Sequence, residues 1–184
     1  MANKKVNPAA VLSRELIMES LFDILSVKPL SSISISEISE NAQVDRRTFY
    51  RHFKTKKDVI KYCIHEVAKQ YEEILLKNNT IDSYSICKTI FEVCLIMKET
   101  LHVLYKQNLL DLFLAEFEVI YEKHQYLFSK PEILKMENVA FMSAFERGGM
   151  TNIVKKWITD GCRISPENMA KLLKQMFLLY KENM

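Results

Sequence analysis

Glycine is almost missing from this chain of 184 residues. There are three glycines, at positions 148, 149 and 161, and four prolines. Phosphate-cradling loops and dinucleotide-binding fingerprints both need closely spaced glycines. The first 147 residues can therefore hold neither of these motifs, and enzymes built on them are excluded for that part of the chain.

Long apolar runs and alternating strand patterns are lacking as well. No segment has the roughly 20 consecutive apolar residues that a membrane-spanning helix needs, and no signal peptide is recognisable. The four cysteines are scattered through helical segments, which favours a reduced, cytoplasmic protein. Apolar residues follow the helical period throughout, so we predict an all-α fold.

Residues suited to catalysis or metal binding are few and poorly placed. Cys63 and His65 lie two apart on a helix and point in different directions, while Cys87 and Cys94 share a face without a histidine or acidic partner. A serine-centred elbow and a zinc-protease motif are absent. We therefore predict no enzyme: no catalytic residue, no metal and no cofactor.

Positive charge is concentrated near the N-terminus. Residues 1–61 contain eleven Lys and Arg against seven Asp and Glu, whereas residues 62–184 contain fifteen against sixteen. Residues 43–57 alone hold six basic residues and one acidic residue. Attraction to phosphate depends on such local density. Taken alone, this run is equally well explained as a solvated helix face.

Residues 32–60 predict two short helices joined by a tight turn, with a third helix behind them. Ser34 and Glu37 form a capping box that begins the first helix, and Asp45 is the N-cap of the second. Phe49 and Phe53 would anchor the second helix. Its remaining side chains are mostly hydrogen-bond donors: Arg46, Arg47, Thr48, Tyr50, Arg51 and His52. A helix of this kind suits the major groove of DNA.

This segment resembles the DNA-binding domain of the TetR family of bacterial transcriptional regulators. The matching residues are Ile38, Ala42, Val44, Thr48, Phe49, Tyr50, Phe53 and Lys56. Two positions depart from the family pattern. Gln43 stands where the family usually has glycine, which would cost about 1 kcal/mol if the backbone there is left-handed. Arg47 replaces a small residue, and the Arg46-Arg47 pair is similar to that of activator-like, DhaS-type members.

The resemblance implies a helix-turn-helix domain at 1–54 and a helical regulatory and dimerisation domain at 55–184. It implies a homodimer on palindromic double-stranded DNA, with Arg46, Arg47 and Thr48 at base edges, and Tyr50, His52 and Lys56 at phosphates. Arg51 completes the predicted DNA-binding set. The expected function is a repressor released by a small apolar effector. The alternative is a TetR-like activator or an adaptor controlled by a protein partner.

Prolines and caps divide the rest of the chain into predicted helices. They run from Pro8 to before Pro29, from Thr55 to about Lys77, and over about 83–104, 108–127, 132–147, 150–160 and 166–181. Thr55 and Asp58 form a pair like a capping box, and Gly161 ends its helix as the C′ residue.

Two sets of large apolar residues lie in these helices. The resemblance implies that the last two helices form the dimer interface, through Met150, Ile153, Val154, Trp157, Met169, Leu172, Leu173, Met176 and Phe177. It also implies an effector pocket, for which the candidate lining is Phe91, Tyr105, Phe113, Phe117, Tyr121 and Phe141. Both sets would equally well fill a solid core.

Overall fold

A computed structural model of the protein describes residues 7–77, 82–115, 118 and 139–182. Every regular element among these residues is helical, which confirms the predicted all-α class. The chain divides into two compact units, one ending at His65 and the other beginning at Glu66.

The first unit contains three helices that pack on one another in pairs: α1 (Pro8–Leu25), α2 (Ile35–Asn41) and α3 (Arg46–His52). Asn7 caps α1, with its side chain accepting a hydrogen bond from the Ala9 amide at 3.1 Å. A short 3₁₀ turn, Leu30–Ser32, separates α1 from α2. Helix α4 (Lys56–Leu76) begins in this unit and continues into the second.

The core of the first unit combines apolar packing with one buried polar contact. Fully buried residues come from all four helices: Ile17, Leu21 and Leu25 of α1, Ile38 of α2, Phe49 of α3, and Val59 and Ile60 of α4. The hydroxyl of Ser20 donates to the carbonyl of Ile38 at 2.8 Å, so α1 and α2 are also tied by a directional bond.

The second unit contains α5 (Ser83–Ile96), α6 (Lys98–Lys106), a helical segment at 110–115 (α7), α8 (Val139–Thr159) and α9 (Pro166–Glu182). Helix α9 packs along α5, and α8 contacts α6. Phe91 of α5 meets Trp157 of α8 edge to face, with ring centroids 5.1 Å apart. The indole of Trp157 also donates to the carbonyl of Ile164 at 2.8 Å, which holds the α8–α9 turn against α8.

Two predicted helix boundaries were wrong. The predicted helix at 83–104 is interrupted at Met97, whose ψ of 13° leaves the helical range. The predicted break between 132–147 and Met150 does not occur, because Gly148 and Gly149 lie inside the continuous helix α8. Two helical glycines cost about 2 kcal/mol relative to alanine, which the buried face of α8 outweighs. The predicted stretches 116–117, 119–127 and 132–138 lie outside the described residues.

Candidate nucleic-acid interface

The turn between α2 and α3 is built on a left-handed residue. Gln43 has φ of 53°, its amide donates to the carbonyl of Glu40 at 3.0 Å, and the Val44 amide donates to the carbonyl of Ser39 at 2.9 Å. This pair of bonds is the Schellman motif, whose left-handed position is usually glycine. The backbone at this position therefore has the left-handed conformation for which the family usually uses glycine. Gln43 adopts it with a β-carbon, which is less favourable than glycine there.

The two helices that the turn joins each begin with a cap that the sequence predicted. Ser34 and Glu37 exchange the two bonds of a capping box, and Lys28 forms an ion pair with Glu37. The bond from Lys28, followed by those from Ser34, lowers the pKa of Glu37 from its ordinary 4.5 to about 2. Asp45 accepts a hydrogen bond from the Thr48 amide at 2.6 Å, and this bond lowers the pKa of the Asp45 carboxyl.

Helix α3 has one buried side and one exposed side. Phe49 is completely buried and Phe53 nearly so, which confirms their predicted role as anchors. The exposed side carries Arg46, Arg47, Tyr50 and Arg51, and Tyr50 is 51% exposed. Thr48 is half-buried, and its hydroxyl oxygen accepts a bond from the Arg51 guanidinium at 3.4 Å. The exposed side is thus a cationic surface with one phenol in it.

The ammonium group of Lys56, a predicted phosphate contact, is hydrogen-bonded to backbone carbonyls of the protein itself. Its Nζ donates to the carbonyls of Leu30 at 2.6 Å and Ile33 at 2.5 Å. An ammonium has three donors, so one remains for another acceptor. Asp58 accepts bonds from the amides of Lys54 and Thr55, which confirms the predicted cap. Those two amides are therefore not free for a phosphate.

His52, a predicted phosphate contact at the end of α3, also has a partner within the protein. Its Nε2 lies 2.8 Å from the hydroxyl oxygen of Ser13 in α1. Burial, followed by the nearby charges of Arg51 and Arg14, lowers the pKa of His52. Sequence reasoning missed Ser13 and Arg14, because nothing in the local pattern of α1 signals which residues will face α3.

The residues predicted for the dimer interface divide into two groups. Met150, Val154, Trp157, Met169 and Leu173 are buried within the chain itself. They belong to its core, so their side chains cannot also form the surface offered to a second copy. Ile153 is half-buried, while Leu172 and Met176 are 44% and 42% exposed. The side chain of Phe177 lies outside the described residues.

Next to the exposed members of this set is an open groove between the end of α8 and the start of α9. Apolar side chains contribute much of its lining, including Ile153, Ile164 and Leu172. Polar and charged groups stand among them: Asn152, Lys156, Thr159, Asp160 and Arg163. The ammonium of Lys156 donates to the carboxylate of Asp160 at 2.7 Å. The other cationic residue of the lining is Arg163.

The predicted pocket residues do not share one environment. Phe91 and Phe113 are buried, whereas Tyr105 and Phe141 are exposed, Phe141 at 79%. Tyr105 and Phe141 therefore do not enclose a cavity within the described part of the chain. Phe117 and Tyr121 lie outside the described residues.

Two of the buried thiols are poor nucleophiles, and the described ranges contain no metal-holding cluster. Burial raises the pKa of Cys87 and of Cys94 to about 12, which disfavours the nucleophilic thiolate. Over residues 7–77, 82–115 and 139–182, no group of three His, Cys, Asp or Glu side chains is placed to hold a metal ion. In the same ranges, no helix is both long enough and apolar enough to cross a membrane.

Two family models match the sequence. The model of bacterial regulatory proteins of the tetR family covers residues 17–63, which contain α2, α3 and the turn between them. A model described as a transcriptional regulator C-terminal region of TetR type covers residues 82–178, more than half of the chain. The chain belongs to the TetR family of bacterial transcriptional regulators. Members of this family are generally non-enzymatic DNA-binding proteins.

Solved structures with the same fold include three regulators. The dihydroxyacetone kinase operon activator DhaS has 15% identity and a TM-score of 0.60, covering 94% of this chain and 96% of that one. The fatty acid degradation regulator FadR from Bacillus halodurans has 14% identity and a TM-score of 0.57, covering 95% and 97%. A TetR-like transcriptional regulator from Rhodococcus sp. RHA1 has 14% identity and a TM-score of 0.58, covering 91% and 94%.

Among curated proteins, none has significant sequence similarity to this chain. At 14–15% identity, the likeness to the solved structures concerns the fold alone. Membership of the TetR family rests on the matching family models.

Proposed function

We propose that this TetR-family regulator binds a specific DNA sequence through the exposed side of α3. The observation that carries the proposal is the division of α3 into a buried aromatic side and an exposed side with three arginines. A short helix held in this way can enter the major groove, which is wide enough to admit it. We assign the DNA-reading domain to residues 1–54 and the regulatory and dimerisation domain to residues 55–184.

Arg46 and Arg47 are the proposed base contacts. Both are exposed at the first turn of α3, the end of a recognition helix that contacts base edges. Thr48 is the neighbouring candidate. Arginine pairs best with the O6 and N7 atoms of guanine, so we expect a guanine in each half-site.

Tyr50, Arg51 and Lys56 are the proposed contacts to the DNA backbone. Tyr50 and Arg51 are exposed beside the arginines of the first turn, and the third donor of the Lys56 ammonium is available to a phosphate oxygen. Such contacts set the orientation and the salt dependence of binding, whereas the base contacts set its sequence preference.

The test begins with selection of binding sites from random duplex DNA, followed by affinity measurements on the selected site. Arg46→Ala should weaken binding by about 1–3 kcal/mol and relax the preference at one base position. Lys106→Ala, which removes an exposed positive charge from α6, is the matched control and should have little effect. If the double variant Arg46→Ala/Arg47→Ala keeps full affinity and sequence preference, α3 is not the reader.

We propose that the regulator acts as a homodimer on a palindromic site. Leu172 of α9 and Ile153 of α8 support this, because both line the open groove, which a second copy would cover. Met176 is exposed on α9 as well. Two-fold symmetry would place the two α3 helices about 34–36 Å apart, one turn of the DNA helix.

Repression relieved by a small apolar effector is the proposed mode of regulation. Its support is indirect: one structural neighbour is named as a regulator of fatty acid degradation, which is consistent with an apolar effector. A true effector must bind free protein and operator-bound protein with different affinities, because the coupling between the two sites is reciprocal. Titration of fatty acids into the protein, with and without the selected duplex, tests this directly.

Activation, or control by a protein partner, is the second candidate. It is favoured by the neighbour named as an operon activator and by the Arg46-Arg47 pair. A reporter placed behind the selected site distinguishes the two signs of regulation. Co-purification of a protein partner that changes DNA affinity would favour the adaptor form.

A further inference from the structure

The last turn of α3 is tied to α1 by one side-chain hydrogen bond. His52 Nε2 and Ser13 Oγ are 2.8 Å apart. Ser13 Oγ is also 2.9 Å from the carbonyl oxygen of Ala9 and 3.3 Å from that of Ala10. A carbonyl only accepts, and a serine hydroxyl has one proton to donate. If Ser13 donates that proton to Ala9, the hydrogen between Ser13 and His52 must belong to His52.

The imidazole of His52 is partly buried, and its surroundings disfavour the charged form. The charged groups acting on it are Arg51 on its own helix and Arg14 on α1, and both disfavour the imidazolium form. The Arg14 guanidinium lies 5.4 Å from the ring centroid of Tyr62, which packs edge to face against Phe53. His52 therefore belongs to a contact cluster within the domain, which is not what a freely exposed phosphate ligand would show.

Helix α3 needs an external support of this kind. It has seven residues, fewer than an isolated helix requires for stability in water. Phe49 and Phe53 set which side of it is buried, but apolar packing is less directional than a hydrogen bond and leaves room for a small rotation about the helix axis. With a helix radius of about 5–6 Å, a rotation of about 20° moves a side-chain tip by roughly 2 Å. That displacement is enough to separate Arg46 from a base edge, since a hydrogen bond tolerates only a few tenths of an ångström.

We propose that His52 is a positioning residue, which fixes the rotation of α3 through its bond to Ser13 and does not itself hold a phosphate. The inference rests on the proposed function, in which α3 reads the DNA. It replaces the phosphate role that the family pattern implies for this position.

Four variants test the proposal on the selected duplex and on an unrelated duplex: Ser13→Ala, His52→Ala, the double variant of the two, and His52→Gln. Each single alanine variant should lower affinity for the selected site by about 3- to 10-fold, the value of one neutral hydrogen bond. The double variant should lose no more than either single variant, because both break the same bond. Affinity for the unrelated duplex and the slope of log affinity against log salt should be unchanged.

His52→Gln is the rescue variant, because a glutamine amide can reach the same hydroxyl and keep the bond. It should restore most of the affinity for the selected site. Thermal unfolding of every variant is measured in parallel. Recovered affinity in His52→Gln, compared at similar unfolding temperatures, separates a positioning role from a general loss of folding. If Ser13→Ala has no effect while His52→Ala lowers the salt slope by about one unit, His52 is a phosphate contact and the proposal fails.

Additive losses in the double variant would also overturn it. Failure of the proposed function itself looks different: Arg46→Ala/Arg47→Ala would then keep sequence-specific binding. If the arginine variants lose binding and the Ser13 and His52 variants all behave as wild type, only the positioning role is refuted.

Discussion

Replacing Gln43 by glycine should stabilise the DNA-reading unit. With φ of 53°, Gln43 lies in the left-handed region, where a β-carbon costs about 1–2 kcal/mol. Glycine removes that cost but gives the unfolded chain more freedom, which offsets about 0.4–1 kcal/mol. The expected net gain in the free energy of unfolding is therefore about 0.5–1 kcal/mol. Gln43→Ala keeps the β-carbon and should change little.

Gly161 provides the reciprocal experiment. It occupies the same position of the same motif at the end of α8, with φ of 81° and Cys162 bonded back to Trp157. A β-carbon there would meet no atom of the described residues within 4 Å, so Gly161→Ala tests backbone strain without a steric clash from them. It should lower the free energy of unfolding by about 0.5–1 kcal/mol.

Urea unfolding followed by circular dichroism measures both changes, and amide hydrogen exchange locates them in α2 and α3 or in α8 and α9. The reasoning is refuted if Gln43→Gly is neutral or destabilising while Gly161→Ala is destabilising. An equal gain from Gln43→Ala would show that the effect does not come from the left-handed backbone.

Three further outcomes are expected. The folded pKa of Glu37 is below its ordinary value, so the stability that its carboxylate contributes is complete above about pH 4.5 and is lost as pH falls towards 2. Unfolding midpoints of Glu37→Gln, measured from pH 5 to pH 2, should therefore lack this part of the decline. Lys56→Ala should lower the unfolding midpoint, and if the phosphate contact exists it should also reduce the salt slope of DNA binding by about one unit; an unchanged slope leaves only the structural role. Leu172→Glu should give folded monomers in sedimentation, and a folded dimer of this variant would contradict the proposed interface. Leu173→Glu places a charge at a side chain that is 2% exposed, so it should unfold the chain instead.

The local features of the DNA-reading unit followed from sequence because their causes are local. A capping box needs two residues three apart, as at Ser34 and Glu37, and an anchor pair needs a spacing of four, as at Phe49 and Phe53. Both were confirmed. The bonds of His52 to Ser13 and of Lys56 to Leu30 join residues 39 and 26 positions apart. Such pairs depend on how separate segments pack together, and the periodicity of one helix gives no information about that packing.

The second unit was harder to predict for a related reason. An apolar stripe shows which side of a helix is buried, but it does not show whether the same chain or another copy covers it. Trp157 and Leu173 were assigned to the interface on the family resemblance, and both are buried within the chain. No glycine or proline marks the interruption at Met97, whereas α8 continues through Gly148 and Gly149, where the predicted helices 132–147 and 150–160 were separated.

The glycine pair inside α8 has a mechanical consequence. Each glycine has about 1 kcal/mol less preference for the helical state than alanine, and neither has a side chain to pack on the neighbouring turns. Among the described residues, a β-carbon at either position would meet nothing within 4 Å, so none of these neighbours requires glycine there. The bending stiffness of α8 should therefore be lowest at this point.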